Sequence, residues 1–199
     1  MGEKIKYGVC NVHCAPATIA STGAATYGTV FDMPGCTSLT LDQESEKTVF
    51  YADNIEYWIG MNNHGYSGSI EFAVIPDKFK TDILGYLVDN KGVLLEDADA
   101  PIQHFALMFE FNTDIKARRH VLYNCTCSRP SVSGTTKEAN ITPQPESLDL
   151  EVGTVYNSAL SKNLVKANSM EGTDTTTYEG WYSAVYQPAA LQTSAATTS

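Results

Sequence analysis

Hydrophobic positions recur with a period of two along much of this chain, the signature of half-buried β-strands. The strongest run spans residues 104–134. Phe105, Leu107, Phe109 and Phe111 alternate there with Ala106, Met108 and Glu110. Asn112-Thr113-Asp114 supplies turn residues, and the return arm, 118–127, carries Val121, Tyr123, Cys125 and Cys127 on one side. The pattern predicts a long antiparallel hairpin whose phenylalanine and leucine face looks into the core.

Weaker patterns fill in the rest. Residues 7–14 alternate like a strand, and the small-residue run 15–28, with Pro16, Gly23 and Gly28, reads as an ordered arm or loop with little core. Pro34-Gly35 marks a turn. Residues 37–41 and 47–51 alternate on either side of a polar stretch, 42–46, which predicts a hairpin turning there. Residues 52–68 read as a long loop, a length that is usually functional. It carries Tyr57, Trp58 and Ile59, side chains costly to leave exposed on a monomer.

Ile70, Phe72 and Val74 line one face of a strand over 69–75. Pro76 stops it, Asp77 suits the positive end of a helix, and Phe79 and Ile83 stack at i, i+4, so a short helix is expected over 76–85 with Gly85 as its stop. A small hairpin follows over 86–95, turning on Asp89-Asn90-Lys91-Gly92. Further strands are expected at 131–137, 147–152 and 164–167, with Pro143 and Pro145 at an edge or crossing point. The aromatic element 178–186 should pack on the core. The chain reads as one mainly β domain over 1–187 with a single helix, followed by a flexible tail of small and polar residues, 188–199.

Composition narrows the function classes. The 199 residues are 43% hydrophobic and 18% charged, enough for one sizeable core, and the net charge is −10. An acidic surface repels phosphate and argues against nucleic-acid binding by counterion release. No secretory signal, lipidation motif or membrane span is read, so folding in a cytoplasm is expected and the Asn-x-Thr motifs at Asn124 and Asn140 carry no weight. Five cysteines, an odd number in such a chain, argue against a disulfide framework.

Candidate chemistry is sparse. Cys10, His13 and Cys14 form a Cys-x2-His-Cys cluster, and Cys125-x-Cys127 offers a second pair. Structural zinc uses Cys-x2-Cys-like pairs at both ends, whereas small thiols on one strand face simply pack, so no metal or cofactor is expected. Gly65-Tyr66-Ser67-Gly68-Ser69 fails the Gly-x-Ser-x-Gly pattern. His64, His104 and His120 lack catalytic spacing, and Glu96, Asp97 and Asp99 sit in a solvated acidic run. Lys116, Arg118, Arg119 and Arg129 form the one basic cluster, which in an acidic chain suits ion pairing between subunits. No catalytic residues are assigned.

An ordered set of short motifs points further. Tyr51-Ala52-Asp53-Asn54-Ile55-Glu56-Tyr57, Gly65-Tyr66-Ser67-Gly68, Ile75-Pro76-Asp77 through Asp82-Ile83-Leu84-Gly85, Arg118-Arg119-His120-Val121-Leu122-Tyr123-Asn124-Cys125, Arg129-Pro130, Thr136-Lys137-Glu138 and the closing Trp181, Val185-Tyr186 and Pro188 occur in that order. Together they resemble the phi13 family of phage major tail proteins, the tail tube subunits of siphoviruses, from about Tyr7 to Pro188. The turn at Asn112-Thr113-Asp114 departs from the family in lacking a glycine, and Cys127 and the Ala/Thr-rich tail are local to this chain.

The resemblance implies a β-sandwich or partial barrel of two packed antiparallel sheets with one flanking short helix. It implies a structural, non-enzymatic virion protein that forms hexameric rings stacked into a hollow tube. Its partners would be further copies of itself, the tape measure protein, and the tail terminator and tip proteins. DNA would pass through an acidic lumen without sticking, and no membrane would be involved. Assembly would take place in the host bacterial cytoplasm, and the product would be the virion tail. Residues 52–68 would be an arm onto a neighbour, with Tyr51, Asp53, Asn54, Ile55, Tyr57, Trp58, Arg118 and Arg119 at the subunit interface. A tail terminator, a carbohydrate-binding module stacking sugars on Tyr57, Trp58 and Trp181, and a β-sandwich hydrolase are the competing classes.

Overall fold

A computed structural model describes residues 3–136 and 143–191. The described chain forms β1 (Lys6–Ile19), β2 (Ala25–Tyr27), β3 (Phe31–Asp32), β4 (Cys36–Ala52), β5 (Ile55–Phe72), α1 (Asp77–Asp82), β6 (Leu87–Val88) and β7 (Leu94–Leu95). It continues with β8 (His104–Thr113), β9 (Arg118–Cys127), β10 (Glu146–Gly153), β11 (Val155–Asn157), β12 (Lys162–Leu164), β13 (Lys166–Asn168), α2 (Thr175–Glu179) and a 3-10 turn at Gly180–Tyr182. The fold is mainly β, with antiparallel sheets and short helices.

The main sheet runs β2-β1-β8-β9-β10-β5-β4, with β3 beside β1 and β13 beside β9. This corrects the expectation of two packed sheets, because the large sheet is continuous. Strands far apart in its order, β1 and β8 on one side and β5 and β10 on the other, nevertheless share one core. A twisted sheet reaches that arrangement by curling over itself. Val12, Cys14, Phe105, Leu107, Ile70, Phe72, Leu148 and Leu150 fill the interior. Helix α1 closes the end at Phe105, where Phe79 meets that ring edge-on at 5.4 Å and Ile83 and Leu84 join the core. Pro76 caps the helix start, and Gly85, at φ +73°, turns the chain away.

The hairpin expected over 104–127 is present as β8 and β9, but both faces of β8 are buried. Phe105, Leu107 and Phe109 face the interior, whereas Ala106 and Met108 join Ala15, Val121 and Tyr123 in a second cluster. Val155, Trp181 and Val185 belong to that cluster, so the C-terminal segment packs as a further layer. A strand covered on both sides reads as a nearly continuous apolar run. The single face assigned to Val121, Tyr123, Cys125 and Cys127 is corrected by a bulge. Phe105 pairs with Cys125 but Leu107 with Leu122, and the extra residue in β9 sends Val121 and Tyr123 to one face and Cys125 to the other. Near the same place β9 changes neighbour, from β10 at 124–127 to β13 at 120–122.

Other expectations fare unevenly. Within 15–28, residues 15–19 end β1 and 25–27 form β2 paired against it; Ala15 and Ala17 are buried, and most of the rest is half-buried or exposed. The polar stretch 42–46 is mid-strand, not a turn. Val74 is exposed because β5 ends at Phe72. Residues 131–136 have no regular structure, and the remainder of that expected strand lies outside the described residues, as does most of the tail. The hairpin on Asp89–Gly92 forms, and 164–167 is split between β12 and β13.

Candidate assembly interface

The long loop expected at 52–68 is instead half of a β-ribbon. β4 and β5 pair from Cys36↔Phe72 to Ala52↔Ile55, while β10 covers β5 only from Tyr66 onward. From Ser45↔Asn63 outward the two strands therefore stand alone, projecting about 25 Å at strand rise. Asp53 and Asn54 make the tip, both with positive φ (53° and 61°), the backbone of a two-residue type I′ turn. Asp and Asn tolerate that conformation better than other non-glycine residues.

Six of the eight interface candidates sit on this tip. Tyr51, Ile55, Tyr57 and Trp58 are exposed there, together with Phe50, Ile59 and Met61, each at least half exposed. Both faces carry apolar groups. Phe50 pairs with Trp58 on one, and Val49 with Ile59 on the other, beside Lys47 and Met61. The first face also carries Glu44 and Glu46, by alternation along β4. Burying seven such side chains would release on the order of 10 kcal/mol before association costs. An isolated two-stranded ribbon is marginal in water, and the outer edge of β4 pairs with no other described strand along its whole length.

Arg118 and Arg119 are not brought to this surface. Arg118 pairs with Glu3, and Arg119 turns inward to clasp the C-terminal layer. Its Nε donates to Glu110 Oε2 at 3.1 Å, its Nη1 to the Tyr178 carbonyl, and its guanidinium lies 3.9 Å from the Tyr178 ring centroid. Glu110, 6% exposed, also accepts from Asn11 Nδ2 and from Tyr182 Oη at 3.2 Å. This is the usual condition for burying a carboxylate: a cation and several donors close around it. Arg119 is thus an internal anchor of the C-terminal layer.

At the end of the curled sheet away from α1, a cleft of about 390 Å³ opens between β8–β9 and β4–β5. Phe109, Phe111, Leu39, Leu41 and Leu122 contribute apolar walls, with Thr40, Tyr66, His120, Lys6 and Lys166 completing the lining. Lys6 Nζ lies 4.1 Å from the Phe111 centroid and Lys166 Nζ 4.4 Å from that of Tyr66. His120 stacks on Phe109 at 5.2 Å. Burial, then the positive charges of Lys166, Lys6 and Arg118, pushes its imidazole down to about 4, so the ring is neutral at pH 7. Sequence reading assigned no role to Lys6 or Lys166, which are 160 residues apart and line one cleft because β1 and β13 flank the same hairpin.

The remaining candidates are structural. Burial raises the thiols of Cys14, Cys125, Cys127 (to about 12) and Cys36 (to about 11), against nucleophile or ligand use at neutral pH. Among the described residues no group of three or more His, Cys, Asp or Glu side chains could hold a metal ion. His104 Nδ1 lies 2.7 Å from Asn124 Oδ1, and His13 stacks on Tyr182 at 4.2 Å with Nε2 2.7 Å from Asp32. Trp181 is 2% exposed, so it offers no platform for a sugar. Among the described residues no helix is long and apolar enough to cross a membrane. No protein-family model matches the chain, and no curated protein matches it.

Proposed function

We propose that this chain is a structural subunit of a siphovirus tail, the major tail protein, which self-assembles into hexameric rings stacked as a hollow tube for DNA delivery. The observation that carries the reading is the ribbon. A monomer that projects two strands with apolar side chains on both faces and leaves a full-length edge unpaired among the described residues has surfaces suited to other chains. The ordered motifs from Tyr7 to Pro188 supply the choice of chain: further copies of itself.

On this reading the ribbon reaches a neighbouring subunit, and β4 offers its free backbone groups to an adjacent sheet, closing a continuous inner barrel. The net charge of −10 suits a conduit for DNA, since carboxylates facing a lumen repel the phosphate backbone. The tape measure protein would occupy the lumen during assembly, with terminator and tip proteins at the ends. Negative-stain microscopy of the purified full chain tests the proposal. Rings or tubes are expected; a protein that stays monomeric across the accessible concentration range overturns it.

A further inference from the structure

We infer that the cationic cleft between β8–β9 and β4–β5 receives the acidic, aromatic face of the ribbon from a second copy of this chain. The inference deepens the proposed function and rests on its reading of the chain as self-assembling. It names which two surfaces meet.

The cleft presents two ammonium groups without carboxylate partners. Among the described residues, neither Lys6 nor Lys166 has an Asp or Glu oxygen within 4.0 Å, although the chain carries 23 acidic residues against 13 basic ones. Both lie over aromatic rings at the rim of an apolar hollow. The chemistry such a site accepts is an anion joined to an aromatic or aliphatic body: the charge meets the lysines and the body fills the space between Phe109, Phe111 and Leu41. His120, neutral at pH 7, adds a polar contact with no charge of its own.

The ribbon carries that combination on one face. Glu44 and Glu46 share it with Phe50 and Trp58, whereas Lys47, the ribbon's one lysine, lies on the other face with Glu56 at 3.8 Å. Over residues 42–64 there are five carboxylates against that single lysine. The cleft's volume of about 390 Å³ falls in the range that accepts a compact organic group. A ribbon cannot serve its own cleft. It stands alone from Ser45↔Asn63 outward, just beyond Leu41 and Tyr66 of the cleft's rim, and its strands remain paired to the tip. The occupant therefore comes from another copy.

The test uses the full chain with a photo-crosslinking phenylalanine analogue at position 48, an exposed site on the acidic face, in an equal mixture of light- and heavy-isotope protein. Crosslinks between light and heavy chains are expected at residues 39–41, 66, 109–111 or 166. Lys6→Glu with Lys166→Glu should cut their yield about tenfold or more, as should Glu44→Lys with Glu46→Lys, and combining the four changes should restore it. Lys6→Arg with Lys166→Arg should leave it intact. Crosslinks confined to one chain, crosslinks on another surface, the absence of intermolecular crosslinks, or reversals without effect each overturn the inference. Rings forming while crosslinks fall elsewhere would leave the tube reading standing without this contact. Cleft crosslinks from a protein that forms no rings would sustain the contact and remove the tube.

Discussion

The Trp58 indole lies over Gly60 on the ribbon's first face. A Cβ at position 60 would sit 2.8 Å from Trp58 Cζ3 and closer still to Cη2, so the ring rests where any other residue would place a side chain. Gly60→Ala should push the indole off the strand without straining the backbone. Because both residues lie outside the core, the unfolding midpoint should barely move, within about 0.5 kcal/mol. Assembly, read by sedimentation velocity, should weaken.

Removing the aromatic tip altogether is the stronger version. Tyr57→Ala combined with Trp58→Ala should leave the circular dichroism spectrum and thermal midpoint near those of the parent while abolishing ring formation under negative stain. Rings of unchanged number and tubes of unchanged length would show that the tip does not carry subunit contacts.

Gly65 governs the root of the ribbon. Its φ of +116° suits glycine, and a Cβ there would collide with the Val152 carbonyl oxygen of β10. Gly65→Ala should destabilise by about 2–4 kcal/mol in urea unfolding, through strain and displaced backbone. Gly172→Ala, where nothing lies within 4 Å, is the matched control.

Arg119→Ala should cost about 3 kcal/mol or more, because it leaves Glu110 buried without its cation. The C-terminal layer should loosen first, which the emission of Trp181 would report in a Trp58→Phe background. Arg119→Ala with Glu110→Gln should recover part of the loss.

His120 gives the protein a pH dependence of defined sign. Its folded-state value, about 4, lies below the ordinary 6.5, so the unfolded chain accepts a proton that the folded protein refuses. The stability it contributes is full above pH 6.5 and is lost progressively as pH falls towards 4. The loss approaches about 3 kcal/mol at most and is smaller where solvent screens the ring. His120→Phe should flatten the difference in stability between pH 6.5 and pH 4 relative to the parent, measured by urea unfolding at each pH.

How much of this was legible in the sequence depends on what each stretch packs against. Phe105 to Phe111 alternate against one core, and the hairpin they predict is present. The partner strand obeys the same rule until a single extra residue inverts it, and no local signal in Val121 to Cys127 announces that bulge. The ribbon escaped for the opposite reason. Residues 42–46 face solvent on both sides, so nothing imposes alternation on them, and a polar mid-strand run reads as a turn. The real turn was written in Asp53-Asn54, a pair tolerant of positive φ, and Asn54-Ile55 did not carry the glycine that usually flags it. The inward clasp of Arg119 was not legible because its partners, Glu110, Tyr178 and Tyr182, lie up to 63 positions away, and nothing local signals a half-buried arginine.

The unpaired edge of β4 carries a consequence for symmetry. If two β4 edges met antiparallel about a twofold axis near Glu44, that residue would face its own copy and Asp42 would face Glu46. Like charges directly opposite are destabilising, so the edge discourages pairing with itself in that register. A two-faced, self-complementary dimer would end growth at two chains. On the proposed reading such an edge takes a different strand as its mate, and each chain added that way would present a fresh edge to the next.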